Sequence, residues 1–210
     1  IQKMYVENKN YFYYITTMNE NYEQPEMPEG SEEGIIKGLY KFKSCNNPQV
    51  RLVGSGSILR ESIKAAKLLQ NYGIDSEVWS ATSFNLLRKE GMEVERENQL
   101  NPTLEQKTSY VSECFNDSDI PIIATTDYMR SYAEQIRPYI TSQYTVLGTD
   151  GFGRSDSREK LREFFEIDSS SITRAAAYSL FKENKIDKVM LEKIYNDMNI
   201  DASKPNPWEV

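Results

Sequence analysis

Histidine is absent from this 210-residue chain, and its absence narrows the chemistry available to it. Ser-His-Asp and Cys-His nucleophile systems, histidine general bases and histidine metal ligands all require an imidazole. An active site formed by this chain alone would have to rely on carboxylates, lysine, tyrosine or cysteine.

Cysteine is also scarce. The two cysteines, Cys45 and Cys114, lie far apart in sequence and form no CxxC pair, so a zinc site or a dithiol redox motif is not indicated. No histidine is available to activate either thiol. Two isolated cysteines suit a reducing compartment at least as well as a disulfide framework, and we expect a cytoplasmic protein.

An excess of positive charge and long apolar runs are both missing. The chain has 25 Lys and Arg against 32 Asp and Glu, a formal charge of −7, and no cluster of basic residues. General nucleic-acid binders usually carry a basic face. No apolar run approaches the ~18 residues that span a membrane, and the first residues lack the layout of a signal peptide. We therefore expect neither a nucleic-acid nor a membrane partner.

The first 34 residues differ in composition from the rest. Aromatic and β-branched residues at 12–17 predict a buried strand, whereas 18–34 contain two Pro and two Gly and predict a linker. The acidic residues of this region lack the spacing of an EF-hand and indicate a solvated loop rather than a metal site; they are Glu20, Glu23, Glu26, Glu29, Glu32 and Glu33. Because the chain begins with Ile, we expect it to be a piece of a longer protein, with a domain boundary near residue 34.

From residue 35 the pattern is typical of an α/β domain. Strands are predicted at 35–42, 50–53, 77–80, 120–124 and 144–147. Helices are predicted at 58–72, ended by Gly73, and at 83–89, 156–165, 170–183 and 187–197, with one more that Thr126 and Asp127 would cap. Residues 91–110 are polar and irregular in pattern. This alternation predicts a mostly parallel sheet covered by helices on both faces.

A glycine-rich turn after the second predicted strand is the first candidate site. It consists of Gly54, Ser55, Gly56 and Ser57, and it precedes a helix whose N-terminal N–H groups are suited to hold a phosphate. Leu59 replaces the third glycine of G-x-G-x-x-G, and no Walker lysine follows. Asp75 and Glu77 lie about 20 residues further on, where a ribose-binding carboxylate would lie. A tight βα turn is the favoured interpretation, with an anion site as the alternative.

The second candidate is the loop from Gly148 to Asp156, which contains three glycines. Its Arg154 has the geometry to bind a carboxylate or phosphate through two hydrogen bonds. The simpler interpretation is a rigid loop in which Arg154 pairs with Asp150 or Asp156, and Asp156 caps the next helix in a capping box with Glu159. Such a loop also suits a subunit interface, for which the candidate residues are Asp150, Phe152, Arg154 and Asp156.

Five segments carry a resemblance to a known family. They are YYITTMNENY at 13–22, MPEG with EEGI at 27–35, LVGSGSILR at 52–60, TTDYM at 125–129 and VLGTDGFGRSDSR at 146–158. In order and spacing they resemble the C-terminal end of the homodimeric bacterial pyruvate dehydrogenases. These enzymes are the thiamine-dependent first components of the pyruvate dehydrogenase complex. The last segment is long and specific, and the five together run almost from end to end of the chain.

The resemblance implies a fold, a function and a lack of catalytic residues here. It implies that 1–34 are the end of a pyrimidine-binding domain plus a linker. Residues 35–210 would be a transketolase-like C-terminal domain. Such a domain has a three-layer α/β/α architecture, and its middle layer is a five-stranded mixed sheet with one antiparallel strand. Family members decarboxylate pyruvate on thiamine diphosphate with Mg²⁺ and pass an acetyl group to the lipoyl arm of the dihydrolipoyl acetyltransferase component.

In the family, the cofactor, metal and catalytic residues lie upstream of this region. The resemblance therefore implies no catalytic, cofactor-binding or metal-binding residue in this chain, and a domain that serves structure and contact within a homodimer. Two alternatives stay open. One is the same domain of a transketolase or of another 2-oxo acid dehydrogenase. The other is a stand-alone nucleotide- or anion-binding module that uses the turn from Gly54 to Ser57.

Overall fold

The computed structural model describes residues 1–10, 12–15, 17 and 21–210. A short helix, α1 (Gln2–Tyr5), opens the chain. The strand predicted at 12–17 is wrong for its described residues, which lie in no helix or strand, and Phe12 is 88% exposed. A strand needs a hydrogen-bonding neighbour, and none of the described strands pairs with this segment. Thr16 and Glu20 lie outside the described residues; the other acidic residues of the linker are exposed, as expected.

Among the described residues, five strands form one mixed sheet in the order β1-β3-β2-β4-β5. They are β1 (Leu39–Lys43), β2 (Val50–Ser55), β3 (Ser76–Ala81), β4 (Ile122–Thr125) and β5 (Tyr144–Leu147). Only β1 is antiparallel to its neighbour, and the other three pairings are parallel. The predicted mostly parallel, five-stranded sheet with one antiparallel strand is confirmed.

Helices cover both faces of the sheet and complete three layers. On one face lie α3 (Leu59–Gln70), α7 (Arg158–Phe164), α8 (Ser169–Lys182) and α9 (Lys188–Asp197). On the other lie α4 (Phe84–Leu100), α5 (Tyr110–Phe115) and α6 (Arg130–Glu134). Leu52 and Ile123 pack toward the first group, whereas Val53 and Ala124 pack toward the second. The central strands are therefore apolar on both sides, as buried parallel strands require.

Some boundaries differ from the sequence prediction for identifiable reasons. The start of the predicted strand at 35–42 belongs to helix α2 (Glu32–Lys37), which ends at Gly38 with φ +108° before β1 begins. Helix α4 continues to Leu100 through a stretch predicted to be irregular. That half of α4 is mostly exposed, so it lacks the apolar periodicity that indicates a helix, although Glu and Arg favour helix formation. The end of α3 is as predicted: Gly73 has φ +73°, and the Ile74 N–H donates to the Leu69 carbonyl at 3.1 Å.

A buried arginine joins the central strands to α5. Arg51 of β2 is 1% exposed, and its Nε donates to Glu77 Oε2 of β3 at 3.1 Å. Its Nη1 donates to the carbonyl of Phe115, the last residue of α5, at 2.6 Å. Its Nη2 donates to Asp117, and this hydrogen bond lowers the pKa of the Asp117 carboxyl. The Arg51 charge is thus balanced in the interior rather than exposed to solvent.

Glu77 is the other centre of this network. It is 4% exposed, and it accepts hydrogen bonds from Lys41 Nζ at 2.6 Å and from Trp79 Nε1 at 3.1 Å. The carboxylate that was weighed as a ribose ligand is therefore committed to internal partners. Asp75 is exposed but precedes β3, at the opposite edge of the sheet from the glycine-rich turn. Neither residue serves the Gly54 to Ser57 turn.

We predict that Glu77→Gln lowers the free energy of unfolding by about 3 kcal/mol, because it leaves the buried Arg51 guanidinium without its fully buried counter-charge. The matched control is Glu93→Gln, since the Lys89–Glu93 pair spans 3.8 Å between largely exposed side chains. That control is expected to change the free energy by less than about 0.5 kcal/mol. Urea denaturation at pH 7 measures both, and equal effects in the two variants would contradict the assigned role of Glu77.

Candidate functional site

The two loops singled out in the sequence meet at one edge of the sheet. Gly54 of β2 pairs with Thr125 of β4, which in turn pairs with Leu147 of β5. Because these strands are parallel, the segments that follow them emerge together at the carboxyl edge. They enclose a cleft of about 330 Å³, lined by Ser57, Ile58, Asp127, Thr149, Gly151, Gly153, Arg154, Arg158, Leu161, Arg162, Phe165 and Ile167.

This cleft lies where the winding of the sheet reverses direction. The chain leaves β2 through α3 on one face to reach β3, and it leaves β4 through α6 on the opposite face to reach β5. The segments that follow β2 and β4 therefore diverge, and they leave a crevice between the carboxyl ends of these neighbouring strands. In open α/β sheets this is the usual position of a ligand site.

The glycine-rich turn is closely packed on α3. A Cβ at Gly54 would lie 2.5 Å from Leu59 Cα and 2.8 Å from Ser62 Oγ. Gly56 has φ +55°, and one 3-10 turn over Gly56–Ile58 leads directly into α3. The segment is therefore a tight βα turn, as the favoured interpretation of the sequence predicts. Of the four turn residues, Ser57 lines the cleft.

Asp127 faces the turn from the segment after β4. Ser57 Oγ donates to Asp127 Oδ2 across a long 3.4 Å contact. The prediction that Thr126 and Asp127 cap a helix is wrong, because α6 begins at Arg130 and has no side-chain cap. Thr126 Oγ1 instead accepts a hydrogen bond from the Tyr128 N–H at 3.2 Å, which closes a local turn and carries Asp127 to the cleft.

The loop after β5 is held by residues of the α6 region. The Arg130 N–H donates to Asp150 Oδ1 at 3.2 Å, and Arg130 Nε lies 3.2 Å from Asp150 Oδ2 in an ion pair. Thr149 Oγ1 donates to the Asp127 carbonyl at 2.9 Å. The predicted pairing of Arg154 with Asp150 or Asp156 is therefore wrong. Asp150 binds Arg130, and the Arg154 guanidinium lies over the Phe164 ring at 5.2 Å.

The start of α7 also differs from the prediction. Ser157, rather than Asp156, is the N-cap, and its hydroxyl accepts a hydrogen bond from the Lys160 N–H at 3.3 Å. Asp156 Oδ1 accepts from the Ser157 N–H at 2.6 Å, so the predicted capping box of Asp156 with Glu159 is not formed. Asp156 and Ser157 both carry an oxygen on a short side chain, and either type of residue can cap a helix. The sequence alone does not show which of the two adjacent residues is the N-cap.

Two arginines of the cleft were missed in the sequence analysis. Arg158 and Arg162 project from α7, and with Arg154 they recur every four residues. Within α7 that spacing places Arg158 and Arg162 on one face of the helix, so their repeat was a readable signal, whereas Arg154 lies in the preceding loop. Arg162 Nη1 lies 3.5 Å from Glu61 Oε1, while Glu61 also accepts from Lys64 Nζ at 2.9 Å. Arg158 and Arg162 have further contacts within the chain.

The C-terminal tail supports this side of the cleft. Lys204 Nζ donates to the carbonyls of Glu163 at 2.7 Å and Phe164 at 3.1 Å, at the end of α7. It also lies 3.6 Å from Glu166 Oε1. Burial raises the pKa of the Glu166 carboxyl, but a hydrogen bond from Arg174 and the charge of Lys204 outweigh it, and the net pKa is lowered. The tail thus fixes the last turn of the helix that carries the arginines.

Exposed aromatic residues surround the loop. We define the aromatic rim as Tyr128, Tyr132, Phe152 and Trp208, which are 46%, 38%, 78% and 48% exposed. The rings of Tyr128 and Tyr132 lie 5.2 Å apart, and the Arg130 guanidinium lies 5.3 Å from the Trp208 ring. Of the predicted interface residues, Phe152, Arg154 and Asp156 are exposed, whereas Asp150 is ion-paired with Arg130.

The charges of the cleft suit an anion and not a metal ion. Three guanidinium groups and one carboxylate, Asp127, line it. Mg²⁺ prefers carboxylate and phosphate oxygens. In the part of the chain that the structure describes, no three Asp, Glu or Cys side chains come together as metal ligands. These residues do not fit a Mg²⁺-bound cofactor.

No described helix has the length and apolar character needed to cross a membrane.

The fold and the position of the cleft define a doubly wound α/β domain with a three-layer architecture. The chain belongs to the transketolase-like C-terminal domain family, whose model matches residues 38–168. A likeness in fold extends to solved transketolases. That of Pichia stipitis covers 78% of this chain and 21% of its own, with a TM-score of 0.54 and 20% identity. That of Leishmania mexicana covers 74% and 20%, with a TM-score of 0.50 and 20% identity.

Curated relatives are closer in sequence and carry one name. The chain is 47% identical over its whole length to the pyruvate dehydrogenase E1 component of Cupriavidus necator. It is 51% identical over 99% of its length to the component of the same name from Pseudomonas aeruginosa. In both comparisons it spans 24% of the relative's length. The resemblance inferred from the five sequence segments is confirmed.

We predict that Gly54→Ala destabilises the fold by about 1–3 kcal/mol, because the new methyl group would overlap backbone atoms of Leu59 rather than a movable side chain. Gly153→Ala is the matched control, since a Cβ there meets nothing within 4 Å and its φ is not positive. The midpoints of urea denaturation compare the two variants. An equal stability of both would contradict the close packing of the turn on α3.

Proposed function

We propose that this chain acts as the C-terminal domain of a pyruvate dehydrogenase E1 component. The longer protein decarboxylates pyruvate on thiamine diphosphate with Mg²⁺ and transfers the acetyl group to the lipoyl group of a dihydrolipoyl acetyltransferase. The observation that carries the proposal is the 47–51% identity to E1 components over almost the whole chain. The thiamine diphosphate and Mg²⁺ site belongs to the remainder of that longer protein, and this chain supplies no catalytic residue.

The role of the domain itself is structural, with a contact surface for a homodimer. The aromatic rim supports this role, because exposed aromatic residues gathered at one edge are typical of the centre of a protein interface. The loop beneath the rim is held by the Arg130–Asp150 pair, so Phe152 is presented from a fixed backbone. Phe152, Arg154, Asp150 and Asp156 remain the proposed interface residues.

The division into 1–34 and 35–210 is part of the same proposal. Helix α2 crosses the division, and Ser31 and Gly34 are buried before it. A Cβ at Gly34 would lie 2.8 Å from the Leu39 carbonyl oxygen and 3.1 Å from the Tyr110 hydroxyl. The last few residues of the first segment therefore pack as part of the domain that follows.

A transketolase or another 2-oxo acid dehydrogenase is the second candidate for the longer protein. The similarity to solved transketolases is about 20% in identity and supports the fold alone. The identity to E1 components favours pyruvate. A cytoplasmic location agrees with the two free thiols of Cys45 and Cys114. Homodimerisation and docking of the acetyltransferase are the interactions that we assign, without a nucleic-acid or membrane partner.

Two matched measurements test the assignment of activity. The longer protein, supplied with thiamine diphosphate and Mg²⁺, is expected to decarboxylate pyruvate far faster than branched 2-oxo acids, and not to transfer ketol groups between sugar phosphates. The 210-residue chain alone is expected to give no Mg²⁺-dependent heat with thiamine diphosphate in calorimetry. A preference for sugar phosphates would exclude the E1 assignment, and Mg²⁺-dependent cofactor binding by the chain alone would show that a cofactor site had been missed.

The contact role is tested by Phe152→Ala in the longer protein. Removing one exposed aromatic anchor is expected to weaken dimer association roughly tenfold, measured by sedimentation across a dilution series. Val189→Ala is the control, because Val189 on α9 is 73% exposed and lies outside the aromatic rim. Both variants should keep the unfolding midpoint of the parent. Dimer affinity that is unchanged by Phe152→Ala would remove this loop from the interface.

A further inference from the structure

The outward face of α4 carries a pattern of apolar and charged residues that the proposed function leaves unused. Phe84, Leu87 and Gly91 form the buried face of this helix. The exposed residues of the opposite face follow one another in steps of three and four, so they lie in one line along the helix. We call this line the α4 stripe; it consists of Leu86, Lys89, Glu93, Glu97 and Leu100. Its two end residues, Leu86 and Leu100, are 49% and 62% exposed.

The α4 stripe is symmetric about Glu93. The two leucines lie seven residues before and after Glu93, and Lys89 and Glu97 lie four residues before and after it. Two copies of α4 that run antiparallel across a two-fold axis at Glu93 therefore bring each Leu86 against Leu100 of the second copy. Each Lys89 then faces Glu97 of the second copy. A two-fold contact requires a surface that is self-complementary in this way.

The ion pairs within the stripe leave its charges accessible. Lys89 Nζ lies 3.8 Å from Glu93 Oε1, and both side chains are largely exposed. Glu97 pairs with Lys107 Nζ at 2.5 Å, but half of the Glu97 side chain is exposed, and a carboxylate accepts several hydrogen bonds. Because exposed pairs hold their groups weakly, Lys89 can contact Glu97 of the second copy. The two Lys89 ammonium groups also offset the repulsion between the Glu93 carboxylates at the axis.

The loop after α4 extends the apolar end of the stripe. Asn98 Nδ2 donates to the Lys107 carbonyl at 2.9 Å, and the Lys107 N–H donates to Asn98 Oδ1 at 2.8 Å. This reciprocal pair folds residues 101–107 back on the end of the helix. Leu104 of this loop is 64% exposed. Leu100 and Leu104 thus lie on an ordered backbone, which lowers the entropy that a contact through them would cost.

The other end of the stripe adjoins the aromatic rim. Gln135 Nε2, at the end of α6, donates to Asn85 Oδ1 of α4 at 3.4 Å and to the Tyr132 carbonyl at 3.3 Å. The start of α4 therefore lies next to the helix that carries Tyr132 of the rim. In an antiparallel pairing, the end with Leu100 and Leu104 in one copy lies opposite the rim end of the other.

We propose that two copies of this chain associate through an antiparallel, two-fold pairing of α4, in which Leu100 and Leu104 of one copy cover the aromatic rim of the other. The inference rests on the homodimer of the proposed function. It goes beyond that proposal because it specifies the axis, at Glu93, and the charge pair across it, Lys89 with Glu97.

The test reverses the two charges in the longer protein. Lys89→Glu places two carboxylates opposite each other in both halves of the contact, and Glu97→Lys places two ammonium groups there. Each variant alone is expected to weaken dimer association about tenfold or more, measured by sedimentation across a dilution series. An equimolar mixture of the two variants is expected to form heterodimers with the affinity of the parent, because both contacts then join opposite charges.

Arg88→Glu is the matched control. Arg88 is the exposed neighbour of Lys89 on the same helix and lies off the α4 stripe, so the change in net charge is equal. This variant is expected to keep the dimer affinity within about twofold of the parent.

Recovery in the mixture separates a contact between copies from an effect within one copy, since a second chain does not repair a change inside the first. The pairing of α4 is overturned if both reversals leave the dimer affinity unchanged, or if the mixture associates no better than either variant alone. A monomeric parent would overturn the proposed homodimer as well, whereas a dimer that responds to Phe152→Ala but to neither reversal would exclude the α4 pairing alone.

Discussion

The buried Arg51 guanidinium is the constraint on which the rest of the sheet depends. A charge with 1% exposure has to be met by acceptors inside the protein, and here they come from β3, from α5 and from the residues after it. Arg51 and Glu77 are also direct partners in the parallel register of β2 and β3. A slip of this pairing by one residue would separate the two charges, so the ion pair specifies the register more than it adds net stability.

This network and the cleft lie at opposite edges of the same strands. Arg51 and Glu77 occupy the beginnings of β2 and β3, where side chains interlock with α5. At the carboxyl ends, the strands give way to glycine-containing turns and to a loop that Arg130 holds through Asp150. The domain therefore combines a rigid edge that fixes its geometry with an edge that presents side chains, which is a common division in doubly wound folds.

Most of the core was readable from the sequence, whereas the site was readable only in part. β2 to β5 were predicted because each contains a short run of buried apolar residues. α8 and α9 were predicted because their apolar and polar residues separate onto opposite faces of a helix. The second half of α4 was missed because an exposed helix has no apolar stripe. The partners of Arg154 and Asp150 were assigned wrongly, because Arg130 and Phe164 come near only through tertiary packing. The repeat of Arg154, Arg158 and Arg162 was visible in sequence, but its meaning depends on the cleft that it faces.

The path of the C-terminal tail has a practical consequence. The backbone of Gly151 is packed so closely on Pro207 that a Cβ would lie 2.9 Å from its carbonyl oxygen, and Trp208 lies over Arg130. The last residues of the chain are thereby coupled to the loop that borders the cleft. A fluorophore attached at Val210 would sit beside that loop and respond to changes in it. A bulky fusion at the same position would instead press on Trp208, so a large fusion partner is better placed at the other end of the chain.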